Sequence, residues 1–303
     1  MSSLDTCQTS HTEAPKWDQA TFTIGQTLQG LTDAYKIQEW KGDGSFGTVA
    51  KCMAVDSRQS VAVKILKSKN ALEDMEAEVS ILEELRILDP VRTSLVHFVE
   101  QFESVGFYCL AFEMLDMDLH TFLVNRKLVP LQMSEIRPIA HQLFVALYAL
   151  KGLGIMHCDI KPDNVMFTDV DGQPLRVKLI DFGVAMRASE VEVGALIQAE
   201  GYRAPEVILG LPITEAIDMW AVGCVLVFLY LSGNLFPVKC GYHIVKCMVD
   251  LLGPPSDHML ETGEFSDVFF IKDRTSEAIT WRLLVFFTFV VYDYYINAAE
   301  ISV

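Results

Sequence analysis

Two periods of hydrophobic and polar positions run along this chain. Val49, Lys51, Met53 and Val55 alternate with Ala50, Cys52 and Ala54, and Asp56-Ser57 follows. After the glycine-rich stretch Gly42–Gly47, that period of two predicts strand, turn, strand. Val61-Ala62-Val63-Lys64 is a short β-rich run ending in a cation, and Phe107 to Leu115 is a second apolar, strand-like run. Elsewhere the period is helical. Between Asn70 and Leu88 the apolar positions Met75, Val79, Leu82 and Leu85 share one face, and between Ser134 and Leu153 so do Ile136, Ile139, Leu143, Leu147 and Leu150. Gly152 and Gly154 end the second of these helices. Met219 to Leu231 is apolar over 13 residues, too short to span a bilayer and suited to a core helix. Residues 1 to 34 are polar and without clear period, which predicts an extension, with the fold beginning near Ala34-Tyr35-Lys36-Ile37. At the other end Leu283 to Tyr292 is β-branched, aromatic and apolar, again too short for a helix to cross a membrane.

Composition narrows the class. The chain has 303 residues and is 51% hydrophobic, enough for one large two-lobed domain or two small ones. A net charge of −16 repels phosphate backbones, which argues against a nucleic-acid or anionic-membrane partner. The seven cysteines show no CxxC spacing. Without a secretory signal at the start, they read as reduced intracellular thiols rather than a disulfide framework or a zinc site. The histidines form no metal-ligand cluster.

The chemistry concentrates in a loop between the second helix and a strand. His157-Cys158-Asp159-Ile160-Lys161-Pro162-Asp163-Asn164 places a base, a cation and a metal-ligand oxygen within eight residues, a set that phosphoryl transfer requires. Asp181-Phe182-Gly183 follows 17 residues after Asn164, at the end of the apolar run Val177–Ile180, and adds a second carboxylate placed for a metal ion. Upstream, Gly42-Asp43-Gly44-Ser45-Phe46-Gly47-Thr48-Val49 can bring backbone N–H groups close to phosphates. GxGxxG also occurs in dinucleotide-binding folds, but there a helix follows the glycines, and here a strand is predicted. Glu78 lies on the buried stripe of the first helix, where a carboxylate needs a cationic partner. Lys64 is the natural one.

These motifs resemble the eukaryotic protein kinases in order and spacing. Glu78-Val79-Ser80-Ile81-Leu82, Phe112-Glu113-Met114-Leu115, Ile136-Arg137-Pro138, Gly210-Leu211-Pro212 and Glu215–Trp220 resemble the homeodomain-interacting protein kinases, relatives of the dual-specificity tyrosine-regulated kinases. The resemblance implies an α+β, bilobal fold. A small β-rich lobe would occupy about 35–113 and a larger, mainly α-helical lobe about 116–284, with 285–303 a divergent apolar tail. It implies an ATP- and Mg²⁺-dependent Ser/Thr protein kinase, because a Lys stands two residues after the catalytic Asp.

The resemblance also assigns roles. Asp159 would accept the substrate hydroxyl proton, Lys161 would sit on the transferred phosphoryl group, and Lys64, held by Glu78, would bind the α- and β-phosphates. Asn164 and Asp181 would hold Mg²⁺. Gly42, Asp43, Gly44, Ser45, Phe46, Gly47 and Val49 would cover the nucleotide. Ala62, Met166 and the backbone of Glu113 and Leu115 would meet adenine, with Phe112 behind it. Asp218 would hydrogen-bond the backbone of the catalytic loop. Implied partners are Ser/Thr-bearing proteins, among them transcriptional regulators, with no nucleic acid and no membrane. The implied address is the nucleus or cytoplasm.

The sequence also departs from the family. Cys158 replaces the Arg that binds an activation-loop phosphate. Leu196 stands at the position of the phosphorylatable Tyr, and Glu200 and Gly201 replace an Arg and an aromatic residue. No activating tyrosine phosphorylation is expected, and a proline-directed preference is in doubt. The late Arg that pairs with the Glu of Ala204-Pro205-Glu206 has no counterpart, and the C-terminal lobe is short. The alternative is therefore a kinase-shaped scaffold that binds ATP and transfers poorly.

Overall fold

The computed structural model describes residues 22–44, 47–67, 71–172, 174–237, 240–274 and 279–284. Ser45, Phe46 and the tail 285–303 thus lie outside the described residues. The chain divides into two units, one comprising Met1–Ser80 and His97–Met114, the other Ile81–Val96 and Leu115–Val303.

The first unit is strand-rich. Its strands are β1 (Thr27–Gln29), β2 (Ala34–Asp43), β3 (Gly47–Ala54) and β4 (Ser60–Leu66), then β5 (Phe98–Ser104) and β6 (Phe107–Glu113). They form one antiparallel sheet in the order β1-β2-β3-β4-β6-β5. Helix α1 (Ala71–Leu85) begins here. The period of two does the work expected of it. Val61, Val63 and Ile65 of β4 face the core with Ala50 and Cys52 of β3, while Ala62, Lys64 and Val49 lie on the other face. The predicted helical stripe is also real, since Met75, Glu78, Val79, Leu82 and Leu85 are all buried.

Of the extension expected over 1–34, residues 1–21 lie outside the described residues, and residues 22–34 join the strand-rich unit. Phe22 is 2% exposed and packs edge-on against Phe107, and β1 pairs with β2. The buried Glu100 accounts for this local order. Its carboxylate accepts the Tyr35 hydroxyl at 2.5 Å and the backbone N–H groups of Leu31 (2.9 Å) and Thr32 (3.0 Å). A polar-looking stretch is thereby ordered by a buried acceptor far away in sequence.

The second unit is helix-rich. Its elements are α2 (Leu119–Asn125), α3 (Met133–Gly152), β7 (Ile155–Met156), β8 (Val165–Asp169), β9 (Arg176–Leu179) and β10 (Met186–Arg187). They continue with α4 (Pro205–Ile208), α5 (Ala216–Leu231), α6 (Gly241–Leu252), α7 (Asp257–Thr262) and α8 (Ser266–Phe269), and a hairpin of β11 (Phe270–Arg274) and β12 (Ile279–Leu283). Every member of the α3 stripe is buried. Helix α3 ends where its glycines stand, with Gly154 at φ +69°. Helix α5 packs against α3 and buries Ile217, Ala221, Val225 and Leu229. After α8 the chain turns directly into the β11–β12 hairpin. Among the described residues no helix is long and apolar enough to cross a membrane, and the described cysteines form no disulfide.

Candidate active site

In the first unit, strand register brings the predicted nucleotide residues onto one face. Val49 pairs with Lys64, Lys51 with Ala62, and Phe112 with Ala62. Lys64 Nζ donates to both Glu78 oxygens, at 2.9 and 2.8 Å. Glu78 is 4% exposed and Lys64 12%. A two-point ammonium–carboxylate contact at this depth fixes the Lys64 stem in one direction.

The glycine turn is closed by Gly44 N–H donating to Gly47 C=O at 2.9 Å. A Cβ on Gly47 would lie 2.7 Å from the Ile65 carbonyl oxygen, so the β3–β4 pairing itself demands glycine there. A Cβ on Gly42 would meet nothing, which leaves that backbone open to a ligand. Asp43 is engaged within the hairpin. Its carboxylate accepts from Lys67 and from Thr48 Oγ1, contacts that hold it below the usual carboxylate range. Glu113 pairs twice with His97, its backbone N–H donating to the His97 carbonyl (3.0 Å) and its carboxylate accepting the His97 N–H (2.6 Å).

In the second unit the catalytic loop leaves β7 and is held from behind. Asp218, on α5, accepts the backbone N–H groups of His157 (2.7 Å) and Cys158 (3.0 Å), as expected. Burial pushes the Asp218 carboxyl above its ordinary value, against the pull of those two donors. The His157 ring has a defined tautomer. Its Nε2 lies 2.9 Å from the Ile180 carbonyl, which can only accept, so Nε2 carries the proton. Its Nδ1 then accepts the Asp159 N–H at 3.3 Å. The ring also meets Phe182 edge-on at 4.9 Å. One imidazole thus ties the loop that bears Asp159 to the strand end that carries Asp181.

Asp159, Lys161 and Asn164 come together as the sequence required. Lys161 Nζ donates to Asp159 Oδ2 at 2.7 Å. Asn164 Nδ2 donates to the Asp159 carbonyl and to Oδ2, both at 2.8 Å. Leu115 is buried, and Met166 lies on the opposite face of β8 from Val165 and Phe167. Asp181 sits at φ +62° directly after Ile180.

The donor set fits Mg²⁺ and a nucleotide phosphate. With Nδ2 committed to Asp159, Asn164 has its amide oxygen left for a metal, and an amide oxygen with the Asp181 carboxylate is the hard-oxygen pairing that Mg²⁺ takes alongside phosphate and water. Among the described residues there is no group of three His, Cys, Asp or Glu placed to hold a metal by themselves.

Some contacts escaped the sequence reading. Glu84 forms an ion pair with Arg187 of β10, 103 residues away. Gln198 is buried and hydrogen-bonded on both ends of its amide. Only its place in the segment before Ala204-Pro205-Glu206 could have drawn attention to it.

Comparison with known proteins agrees with this geometry. The protein kinase domain profile matches residues 35–271. Homeodomain-interacting protein kinase 1 of Mus musculus is 40% identical over 259 residues, covering 85% of this chain and 21% of that protein. Homeodomain-interacting protein kinase 2 of Mesocricetus auratus is 39% identical over 259 residues, 85% of this chain and 22% of that protein. Homeodomain-interacting protein kinase 4 of Homo sapiens is 37% identical over 263 residues, 85% and 42% respectively. The chain therefore spans between about a fifth and two fifths of the length of these relatives. An α+β chain with a strand-rich and a helix-rich unit, these motifs in this order and a profile match over most of its length belongs to the protein kinase domain family.

Proposed function

We propose that this chain transfers the γ-phosphoryl group of ATP to Ser and Thr hydroxyls of proteins, within a domain spanning about residues 35–284. The observation that carries the reading is the Asp159–Lys161–Asn164 cluster, with its carboxylate fixed by an ammonium and an amide. Asp159 orients the incoming hydroxyl and takes its proton as the oxygen bonds to the γ-phosphorus and the bond to the β-phosphate oxygen breaks, leaving ADP. Lys161 balances the charge on the transferred group. Lys64, aimed by Glu78, binds the α- and β-phosphates, and the backbone of Gly42, Gly44 and Gly47 covers them. Val49, Ala62, Met166 and the 113–115 backbone receive the adenine. Asn164 and Asp181 would hold Mg²⁺, whose bound charge neutralises the phosphate oxygens. Positioning and electrostatics do most of the work.

The relatives' name, homeodomain-interacting, supports protein substrates among transcriptional regulators and a nuclear or cytoplasmic address. The test is transfer of labelled γ-phosphate from Mg-ATP to a generic Ser/Thr protein, with Asp159→Asn alongside. Transfer that vanishes in the variant supports the proposal; no transfer from a folded, ATP-binding wild type sinks it.

A second reading, a nucleotide-binding scaffold, draws on one observation. Glu206 makes no ion pair among the described residues, whereas in the family a late Arg holds that position. Nucleotide-dependent thermal stabilisation without transfer would favour it.

A further inference from the structure

Besides the β10–β7 pairing and the Arg187–Glu84 ion pair, the segment between Asp181 and Ala204 is anchored at two further places, by side chains alone. The first is apolar. Cys158 is 1% exposed and belongs to a cluster with Met156, Ala204 and Ile217, against which Val191, Ala195 and Ile197 pack. The residue before Asp159 is thus a small thiol buried under segment side chains, and offers no cation to a phosphate. Burial also pushes the Cys158 thiol up, so it stays neutral there.

The second anchor is polar and centres on Gln198. The residue is 8% exposed with φ +68°, a conformation that persists in a side-chain-bearing residue where surrounding contacts over-determine it. Its Nε2 donates to the Ile217 carbonyl at 2.9 Å, and its Oε1 accepts the Ala204 N–H at 2.9 Å. Its own carbonyl accepts Arg203 Nη2 at 2.8 Å, and Arg203 Nε donates to the Ile197 carbonyl at 2.8 Å. One amide therefore ties the first turn of α5 to the start of α4. The neighbouring Leu196, at the position of the family's Tyr, is 72% exposed and takes no part.

We propose that Gln198 is a positioning residue for the protein substrate, holding the 195–204 stretch in its working form beside the catalytic loop without phosphorylation. The stretch reaches the loop through Cys158, the residue before Asp159, with which Ala204 and Ile197 share a cluster. A shift in it moves both the surface a substrate must cross and the backbone that carries the base. Ile217, which accepts from Gln198, directly precedes Asp218, so the same turn of α5 holds the segment and the loop. The inference rests on the phosphotransfer reading above for its kinetic arm and on geometry alone for its second arm.

The kinetic arm uses phosphatase-treated protein. Gln198→Met keeps the volume and loses both amide bonds, and Gln198→Gly relieves the backbone and loses the side chain. Both are expected to lower kcat/KM for the protein substrate by about 10- to 100-fold, the scale of a misplaced reactant, with KM for ATP unchanged. Wild-type transfer is expected to survive the phosphatase. Gln198→Met behaving as wild type, equal losses in the protein and ATP constants, or phosphatase silencing the wild type would each overturn the proposal.

The second arm is amide hydrogen exchange at Ala204. Its N–H is expected to be protected in unphosphorylated wild type and to exchange at least about tenfold faster in Gln198→Met. This readout needs no catalysis. Absent transfer with a protected Ala204 refutes the phosphotransfer reading and leaves the anchor standing. An active wild type with an unprotected Ala204 refutes the anchor.

Discussion

Removing Lys64 and removing Glu78 are not equivalent perturbations, and the structure predicts the asymmetry. The Glu78 carboxylate is the deeper partner, with both oxygens on Lys64 Nζ at 2.9 and 2.8 Å. Lys64→Met leaves that carboxylate buried without its cation, a class of change that costs about 3–5 kcal/mol. Glu78→Met takes the carboxylate away and leaves an ammonium on a flexible stem that can lean toward water, so about 1.5–3 kcal/mol is expected, the range for a hydrogen bond to a charged group. In Lys64→Met/Glu78→Met both charges leave together. Stability should then return to within about 1 kcal/mol of wild type, because the desolvation of the pair disappears with its attraction. The assay is urea unfolding of all four proteins, compared at constant m-value. A coupling of about 2 kcal/mol or more is expected from the cycle. Phosphate transfer should be absent from the double variant despite its recovered stability, which separates the role of Lys64 in chemistry from its role in folding. Single variants that each lose under about 1 kcal/mol and add without coupling would show the pair to be a screened surface contact, and the argument from burial would fail.

Three further outcomes follow from named contacts. Gly47→Ala forces a Cβ to within 2.7 Å of the Ile65 carbonyl and should cost about 1–3 kcal/mol as an overpacking change, whereas Gly42→Ala, with nothing near its Cβ, should leave the urea midpoint alone and weaken only ATP-dependent stabilisation. Asp218→Ala strands the His157 and Cys158 N–H groups at about 1–3 kcal/mol each, and activity should fall further than in Asp218→Asn, which retains one acceptor. Asp33 accepts backbone N–H bonds from Asp56, Ser57 and Ala34, which bring its carboxyl from the ordinary 3.8 down to about 2. Because the folded value is depressed, the stability it gives is present above pH 4 and is lost as pH falls through 2, so Asp33→Asn should lower the melting temperature at pH 5 and converge with wild type near pH 2.

What the sequence disclosed depended on how local the cause was. The sheet faces of β3 and β4, the stripes of α1 and α3 and the termination of α3 at its glycines all follow from neighbours within a few residues, and each stands where the pattern placed it. The Lys64–Glu78 pair was legible because an acidic residue on an apolar stripe demands a cation, and one strand upstream offered it. Residues 22–34 were misread because no short-range period marks them. Their order comes from Glu100, 65 residues beyond Tyr35 in the chain. The Glu84–Arg187 pair was illegible for the same reason, its partners lying 103 residues apart. A three-residue strand and a single ion pair leave no periodic trace, so only the folded chain reveals them.

The site breaks local rules at the positions where the motifs concentrate. Cys158 and Asp181 are non-glycine residues at φ +64° and +62°, a conformation an L-residue adopts at a cost of about 1–2 kcal/mol. Neither is left to relax. The Cys158 N–H is held by Asp218, and the residue before Asp181 is held by His157 through the Ile180 carbonyl and by the Asn164 carbonyl, which accepts the Ile180 N–H at 3.0 Å. The anchors are buried polar groups with fixed partners, and buried polar networks favour one geometry over its neighbours because each alternative leaves a group unsatisfied. Strain at the two carboxylate-bearing turns and full satisfaction of the groups behind them are thus one design. The first aims Asp159 and Asp181; the second keeps them aimed while the segment above is clasped by apolar packing and Gln198. A change that removes an anchor should therefore lower activity more than its cost in stability accounts for, and Asp218→Asn is the variant in which that excess can be read.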